Sequence, residues 1–326
     1  MKGRTEKALE SEKKMLNKLQ YYPQALTEFY YDMKDNGKSY MTSEVYMNYV
    51  INFTLFFTNK TIKENFYKSV TSSDIKRYMN AIKIREDKNG NIIEIGDEIR
   101  AAHWSALNLF FDFLLENNYI NENPVSKTKR PRAKTEHEVT YLEPEEIQAM
   151  LKKVKNEAKD CFKARDLCLL SLMIATGLRV SAVCNINISD INFKENTISV
   201  IEKGHKTRKI PFGDNLKSVI ENCIKARRYY FRGTNTDALF VSQFRKRIST
   251  DSVARVVKTY TEGITDKKIT PHKLRATCAV TIYDNTKDIL VVKEILGHEN
   301  IETTQIYTRA SEEGKKKAIQ IMDNMV

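Results

Sequence analysis

In Thr270-Pro271-His272-Lys273-Leu274-Arg275, a threonine able to cap a helix precedes a proline suited to its first position. That spacing sets His272 and Arg275 on one face near a helix start. Free backbone N–H groups and the positive end of the helix dipole favour an anion there. With an Arg and a His beside them, they make a seat for a phosphate. Taken alone, a capped surface helix with a chance basic pair is the simpler account. Further on, Leu296-Gly297-His298 reads as a helix ended by glycine, with a histidine in the turn, and Tyr307 falls near the end of the next short helix. A capping histidine and a half-buried tyrosine would account for these equally, since the chain holds 16 tyrosines. Ala175-Thr176-Gly177-Leu178-Arg179-Val180-Ser181 places an arginine just past an apolar helix, where salt-bridge partners are common. Glu202-Lys203-Gly204-His205-Lys206-Thr207-Arg208 puts Lys203 in the turn of a hairpin, where lysines are ordinarily solvated.

The elements around these segments come in two groups. A chain of 326 residues with 41% apolar content suggests about two domains with real cores. Residues 1–120 carry helical patterns near 23–34, 43–59, 73–84 and 97–117, with Asp97 as the N-cap of the last. Asp87-Lys88-Asn89-Gly90 marks a small hairpin within 84–95. Residues 121–140 hold Pro124, Pro131 and five basic side chains, Lys127, Lys129, Arg130, Arg132 and Lys134, and read as an extended linker able to lie along phosphates. Residues 141–326 open with a helix at Pro144 and continue with a helix ending at Gly177. Strands follow at 197–201 and 208–212, then further helices and a tail helix from about 312. The expected fold class is therefore mainly α with small β elements.

The formal net charge of +12 favours a polyanionic partner, nucleic acid before acidic membrane. The apolar run 167–178 is too short to span a bilayer and reads as a buried helix. The charged first 14 residues do not read as a secretory signal. Five cysteines without a CxxC pair point to reduced thiols, four of them small core residues, and to the cytoplasm. No GxxxxGK[ST], HExxH or EF-hand pattern is present, so neither metal nor cofactor is expected.

The series Arg179, Lys203, His272, Arg275, His298, Tyr307 lies in ATGLRVS, EKGHKTRKIPF, TPHKLRAT and LGHENIETTQIYT. In order and spacing it closely resembles the tyrosine recombinase, or phage integrase, family. The His-x-x-Arg element, the Leu-Gly-His turn and the tyrosine nine residues beyond it are the specific part. The resemblance covers roughly residue 142 to the C-terminus, and the helical N-terminal part is similar in pattern to the family's core-binding domain. Two departures stand out. Ala182 occupies a place where the family usually has an acidic residue, and Thr308-Arg309 stands where Thr-His is frequent.

The resemblance implies a site-specific DNA strand transferase. Tyr307 is the nucleophile toward the scissile phosphate, and Arg179 and Arg275 grip its non-bridging oxygens. His272 is the best candidate for the general base toward a phenol whose ordinary pKa is about 10, with proton transfer to the phosphate as the alternative. His298 is a hydrogen-bond donor to the phosphate. Lys203, rather than Lys206, protonates the leaving 5′-hydroxyl. The covalent 3′-phosphotyrosine conserves bond energy, so no ATP is needed. Two domains form a clamp on double-stranded DNA, touched also by the basic linker, Lys206 and Arg208. Four copies exchange strands through a Holliday junction, with room for an accessory or directionality protein and no role for a membrane. A catalytically silent DNA-binding relative, a type IB topoisomerase-like enzyme and a metal-dependent nuclease are the alternatives.

Overall fold

A computed structural model of the chain describes residues 2–58, 65–86, 90–132, 139–201, 207–297 and 304. The chain divides into two compact units, Met1–His137 and Glu138–Val326.

The N-terminal unit is built on helices α1 (Lys2–Leu19), α2 (Gln24–Asp35), α3 (Tyr40–Phe57), α4 (Ser72–Ala81) and α5 (Asp97–Glu116). A two-stranded antiparallel ribbon, β1 (Ile84–Glu86) and β2 (Ile92–Glu94), interrupts them, with Arg85 opposite Ile93. The last four helices and the ribbon lie where the sequence places them. The strongly polar α1 does not announce itself by periodicity, yet it buries Met15 and Leu19. Asp97 is the first helical residue of α5, and Gly96 is the N-cap, with no side-chain cap hydrogen bond. Asp97 instead holds Arg100 through an ion pair of 2.5 Å. Aromatic rings fill the core edge to face, Phe29 on Phe110 at 5.1 Å and Phe53 on Tyr78 at 5.2 Å between centroids. Such pairs add to the area they bury.

The segment expected to be an extended linker begins as folded structure. Val125 is fully buried in the aromatic core. Asn123 is also buried; its amide donates to Asp112 at 2.7 Å and its carbonyl oxygen accepts from the Val125 N–H at 2.7 Å. The indole of Trp104 donates to Thr128 at 2.8 Å. Burial of Val125 and a satisfied Asn123 override the turn signal of the neighbouring proline.

One polar cluster sits inside this unit. The hydroxyl of Tyr78 lies 2.9 Å from Nδ1 of His103, and the ring of Tyr49 stacks 3.8 Å away. Burial lowers the His103 pKa to about 4. The folded state therefore binds its proton less readily than the unfolded chain, where the value is about 6.5. The neutral imidazole contributes its stability fully above pH 6.5, and that contribution is lost as pH falls toward 4. The loss is about 3 kcal/mol by pH 4. Urea unfolding followed by the fluorescence of Trp104, the only tryptophan, should show its midpoint falling through this window. An unchanged midpoint between pH 7 and pH 4.5 would contradict it.

The C-terminal unit begins with α6 (Pro144–Glu157) and α7 (Asp160–Thr176). Glu143 and Glu146 form a capping box at the start of α6, with Pro144 at the first helical position. Leu169, Leu170, Leu172 and Met173 of α7 are fully buried, which is why the second half of the helix is apolar nearly all round. A short helix α8 (Val180–Asn185) leads into a three-stranded antiparallel sheet in the order β3 (Ile191–Asn192), β4 (Thr197–Ile201), β5 (Thr207–Pro211). Ile198 faces Ile210 and Val200 faces Arg208 across β4 and β5. Helices α9 (Asp214–Tyr230), α10 (Thr250–Thr261), α11 (Pro271–Thr286) and α12 (Ile289–Leu296) complete the described elements. Helix α7 packs against α9 and α11 at the centre. Cys168, Cys184, Cys223 and Cys278 are buried and Cys161 partly so, as expected of core thiols. The expected tail helix lies outside the described residues.

Candidate active site

Helix α11 starts as its sequence requires. Thr270 is the N-cap, its hydroxyl accepts from the Lys273 N–H, and Pro271 takes the first turn. His272 stands at this end, partly open to solvent. One turn further, Arg275 is only 3% exposed. A guanidinium buried so deeply needs acceptors. Its Nη1 donates to the carbonyl of Gly177 at 2.7 Å, and its Nη2 to the carbonyl of Leu296 at 2.9 Å. Those carbonyls close α7 and α12, two residues before Arg179 and two before His298 in the chain. One arginine thus joins the ends of two helices that lead into other candidate residues.

Both helix ends are capped by glycine in the left-handed region, Gly177 at φ 59° and Gly297 at φ 65°. At Gly177 the space is also closed. A Cβ there would lie 2.5 Å from a methyl of Leu296 and 3.1 Å from the sulfur of Cys278. Gly177→Ala is expected to cost about 3 kcal/mol, from left-handed strain and overpacking together. The measurement is urea unfolding by helical circular dichroism. The Trp104 fluorescence transition, which reports the other unit, should hold its place.

Beyond Gly177 the chain turns and Arg179 becomes the exposed N-cap residue of α8. The far end of α8 is pinned by Arg247, whose guanidinium donates to the Cys184 carbonyl at 3.0 Å and the Asn187 side chain at 2.6 Å. Arg179 is therefore carried on a helix fixed at both ends. Ala182 packs partly buried against the core.

The charges of this site act on His272. Its pKa is lowered by partial burial, and further by the cations of Arg275, Lys273 and Arg179. The imidazole is then neutral at pH 7, with a lone pair able to accept a proton. The same effect places Arg179, His272 and Arg275 within one electrostatic cluster, although 96 residues separate the first from the last.

Helix α12 is capped by Asp288, whose carboxylate accepts from the Leu290 N–H at 2.8 Å. Its C-terminal carbonyls receive a second arginine. Nη1 of Arg208 donates to the carbonyls of Glu294 and Ile295 at 2.8 and 2.7 Å. Arg208, expected on DNA, is half-buried and bonded to the end of α12. Of the linker cations, Lys127 pairs with Glu122 at 2.6 Å, while Lys129, Arg130 and Arg132 are exposed. Lys134, Lys203, Lys206, His298 and Tyr307 lie outside the described residues. Among the described residues no three metal-ligating side chains converge, and no helix is long and apolar enough to cross a membrane. The sequence reading missed the carbonyl partners of Arg275 and Arg208, which are set by residues distant in the chain.

Residues 140–313 match the phage integrase family. The chain is 33% identical to the tyrosine recombinase XerC of Haemophilus influenzae over 210 residues, 64% of this chain and 69% of that protein. It is 28% identical to the XerC of Anoxybacillus flavithermus over 288 residues, 87% of this chain and 91% of that one. Its fold is similar to that of a XerH site-specific recombinase bound to a palindromic difH substrate, with TM-score 0.67, 19% identity, and 87% and 80% of the two chains covered. A lambda integrase tetramer bound to a Holliday junction is similar at TM-score 0.65, with 16% identity and 87% and 76% covered. The chain belongs to the phage integrase family. It is a tyrosine recombinase, an enzyme of site-specific DNA recombination.

Proposed function

We propose that Tyr307 carries the reaction. Its phenolate oxygen attacks the scissile phosphorus, a Tyr–O–P bond forms and the P–O5′ bond breaks. The result is a 3′-phosphotyrosine and a free 5′-hydroxyl. Neutral His272 takes the phenol proton, and Lys203 supplies the proton that the 5′ oxygen needs. Arg179 and Arg275 hold the non-bridging oxygens and meet the charge that grows in the transition state. His298 donates to the same phosphate. Attack by a 5′-hydroxyl of the partner strand reverses the step and leaves recombined DNA. One phosphoester replaces another, so the cycle as written calls for neither ATP nor a metal ion.

A single observation supports this reading most. The buried Arg275 joins the ends of α7 and α12, and, after burial itself, its charge and those of Lys273 and Arg179 lower the His272 pKa. Such a joint prearranges groups drawn from three segments of the chain, which is what electrostatic stabilisation of a transition state demands. In this reading the N-terminal unit is the core-binding domain and the C-terminal unit the catalytic domain. The exposed Lys129, Arg130 and Arg132, with Lys134 and Lys206, lie along DNA phosphates. Four protomers assemble on paired sites in the cytoplasm and exchange strands through a Holliday junction, with an accessory protein setting direction.

The test uses a binding site selected from a random duplex pool, nicked near the cleavage point and incubated with the protein in EDTA. A covalent protein–DNA adduct on a denaturing gel, mapped by mass spectrometry to Tyr307, is the expected result. Binding without an adduct would count against it and make Ala182 the first suspect. An adduct mapped to another residue would overturn the assignment.

A further inference from the structure

One tight turn of the C-terminal unit carries a large apolar side chain into solvent. Val241 and Arg247 face each other in an antiparallel bridge, and the Ser242 N–H donates to the Lys246 carbonyl at 2.8 Å. The Arg245 N–H donates to the Ser242 carbonyl at 3.0 Å. Gln243, Phe244 and Arg245 thus form the loop of a three-residue hairpin, whose last position is left-handed, with Arg245 at φ 57°. Glycine fits that position without strain. An arginine there keeps a charge at the tip against a backbone cost, and such strain persists mostly where it serves a site.

The base of the hairpin is fixed through both of its strands. Val241 is buried, and its carbonyl accepts from Arg165 of α7 at 3.0 Å. Arg247 donates to the Cys184 and Ile186 carbonyls and to the Asn187 side chain, at the end of α8. The tip stands clear. Phe244 is 74% exposed, and Gln243, Arg245 and Lys246 are exposed beside it. No acidic residue lies between Asp237 and Asp251. The Leu239 N–H donates to the carbonyl of Ile186, which follows Arg179 by seven residues, at 2.9 Å. Those seven residues, mostly helical, span about 10 Å, and the chain from Leu239 to Phe244 spans at most about 18 Å. Phe244 is therefore within about 30 Å of Arg179, less than one turn of a DNA duplex.

We propose that this hairpin deforms DNA: the Phe244 ring wedges into a base step of the recombination site, while Arg245 and Lys246 hold phosphates beside it. Apolar wedges unstack and kink a duplex from its minor groove, and cations keep them there. The surround of this ring is basic, which suits a polyanion better than an apolar protein partner. The inference rests on the reading of Arg179 as a phosphate ligand, which sets the wedge within one turn of the cleavage point.

The experiment uses the full chain in the Tyr307→Phe background, which binds without cutting. The selected duplex carries one fluorescent base at a time, 2-aminopurine for adenine or pyrrolocytosine for cytosine, each brighter when unstacked. One step within a turn of the cleavage point should brighten on binding. Phe244→Ala should abolish that signal and Phe244→Leu should keep part of it. Affinity of the Ala variant should fall about 10-fold, the scale of one aromatic stack on a base, with an unchanged salt slope. Arg245→Gly should resist urea at least as well as its parent, yet bind more weakly and with a salt slope shallower by about one. Brightening that persists in Phe244→Ala, or a bright step more than a turn away, would overturn the proposal. Unchanged binding by Phe244→Ala with a loss only of recombinant product, measured with Tyr307 intact, would overturn it in favour of a contact between protein copies. Absence of the covalent adduct with Tyr307 intact would overturn the phosphotyrosine reading alone, and brightening that depends on Phe244 would still uphold the wedge.

Discussion

Tyr307→Phe is expected to bind its DNA site as tightly as the wild type and to form no covalent adduct with it. The substitution removes one oxygen and keeps the ring. Without that oxygen no bond to phosphorus forms, and neither His272 nor the arginines supply another nucleophile. Removing the nucleophile of a covalent mechanism costs about 10⁴-fold or more. The remaining rate should be indistinguishable from background in a single-turnover cleavage assay. Affinity, read by mobility shift, is set by phosphate and groove contacts across a far larger surface. Adduct formation by the Phe variant at even a hundredth of the wild-type rate would remove Tyr307 from the mechanism.

The second large effect is expected at Arg275, which fastens two helix ends and, in the proposed mechanism, also holds the phosphate. Arg275→Lys keeps a positive charge but replaces a planar fork by a single ammonium on a different stem. That group does not reproduce the two donations to Gly177 and Leu296, made at 2.7 and 2.9 Å from separate nitrogens. A buried carbonyl left without its donor costs about 1–3 kcal/mol, so the C-terminal unit should lose about 2–4 kcal/mol in urea unfolding. Catalysis should fall further, on the order of 10²–10³-fold, the scale for removing one transition-state donor. The two losses separate under conditions where the variant is fully folded. Normal cleavage by folded Arg275→Lys would show that the arginine only fastens helix ends.

Much of the framework around the candidate site was legible from residue types, and the reason is local. Thr270 and Pro271 start a helix by chemistry contained in two neighbouring residues, and the glycines at 177 and 297 end helices because they accept a left-handed backbone. The illegible parts depend on distant partners. Nothing near Arg275 in sequence names the Gly177 carbonyl, 98 residues away. Nothing near Arg208 names the Glu294 and Ile295 carbonyls, 86 and 87 residues away. The better signal was strand parity, since Ile210 shares its face. Helix α1 escaped because charge masks its narrow apolar stripe, and β3 because two residues show no alternation. Asn123 and Val125 were read as linker from the proline between them, while Asn123 is held by Asp112 of the preceding helix α5 and both residues are buried.

The C-terminal end of α12 has an electrical consequence as well as a mechanical one. Aligned peptide dipoles leave about half a negative charge at such an end, and phosphate would be repelled by it. Here that pole is covered by two guanidinium groups, each hydrogen-bonded directly to its terminal carbonyls. The covered pole presents a polyanion with net positive charge in place of a negative one. A helix can therefore end two residues before His298 in the orientation that would otherwise repel a phosphate.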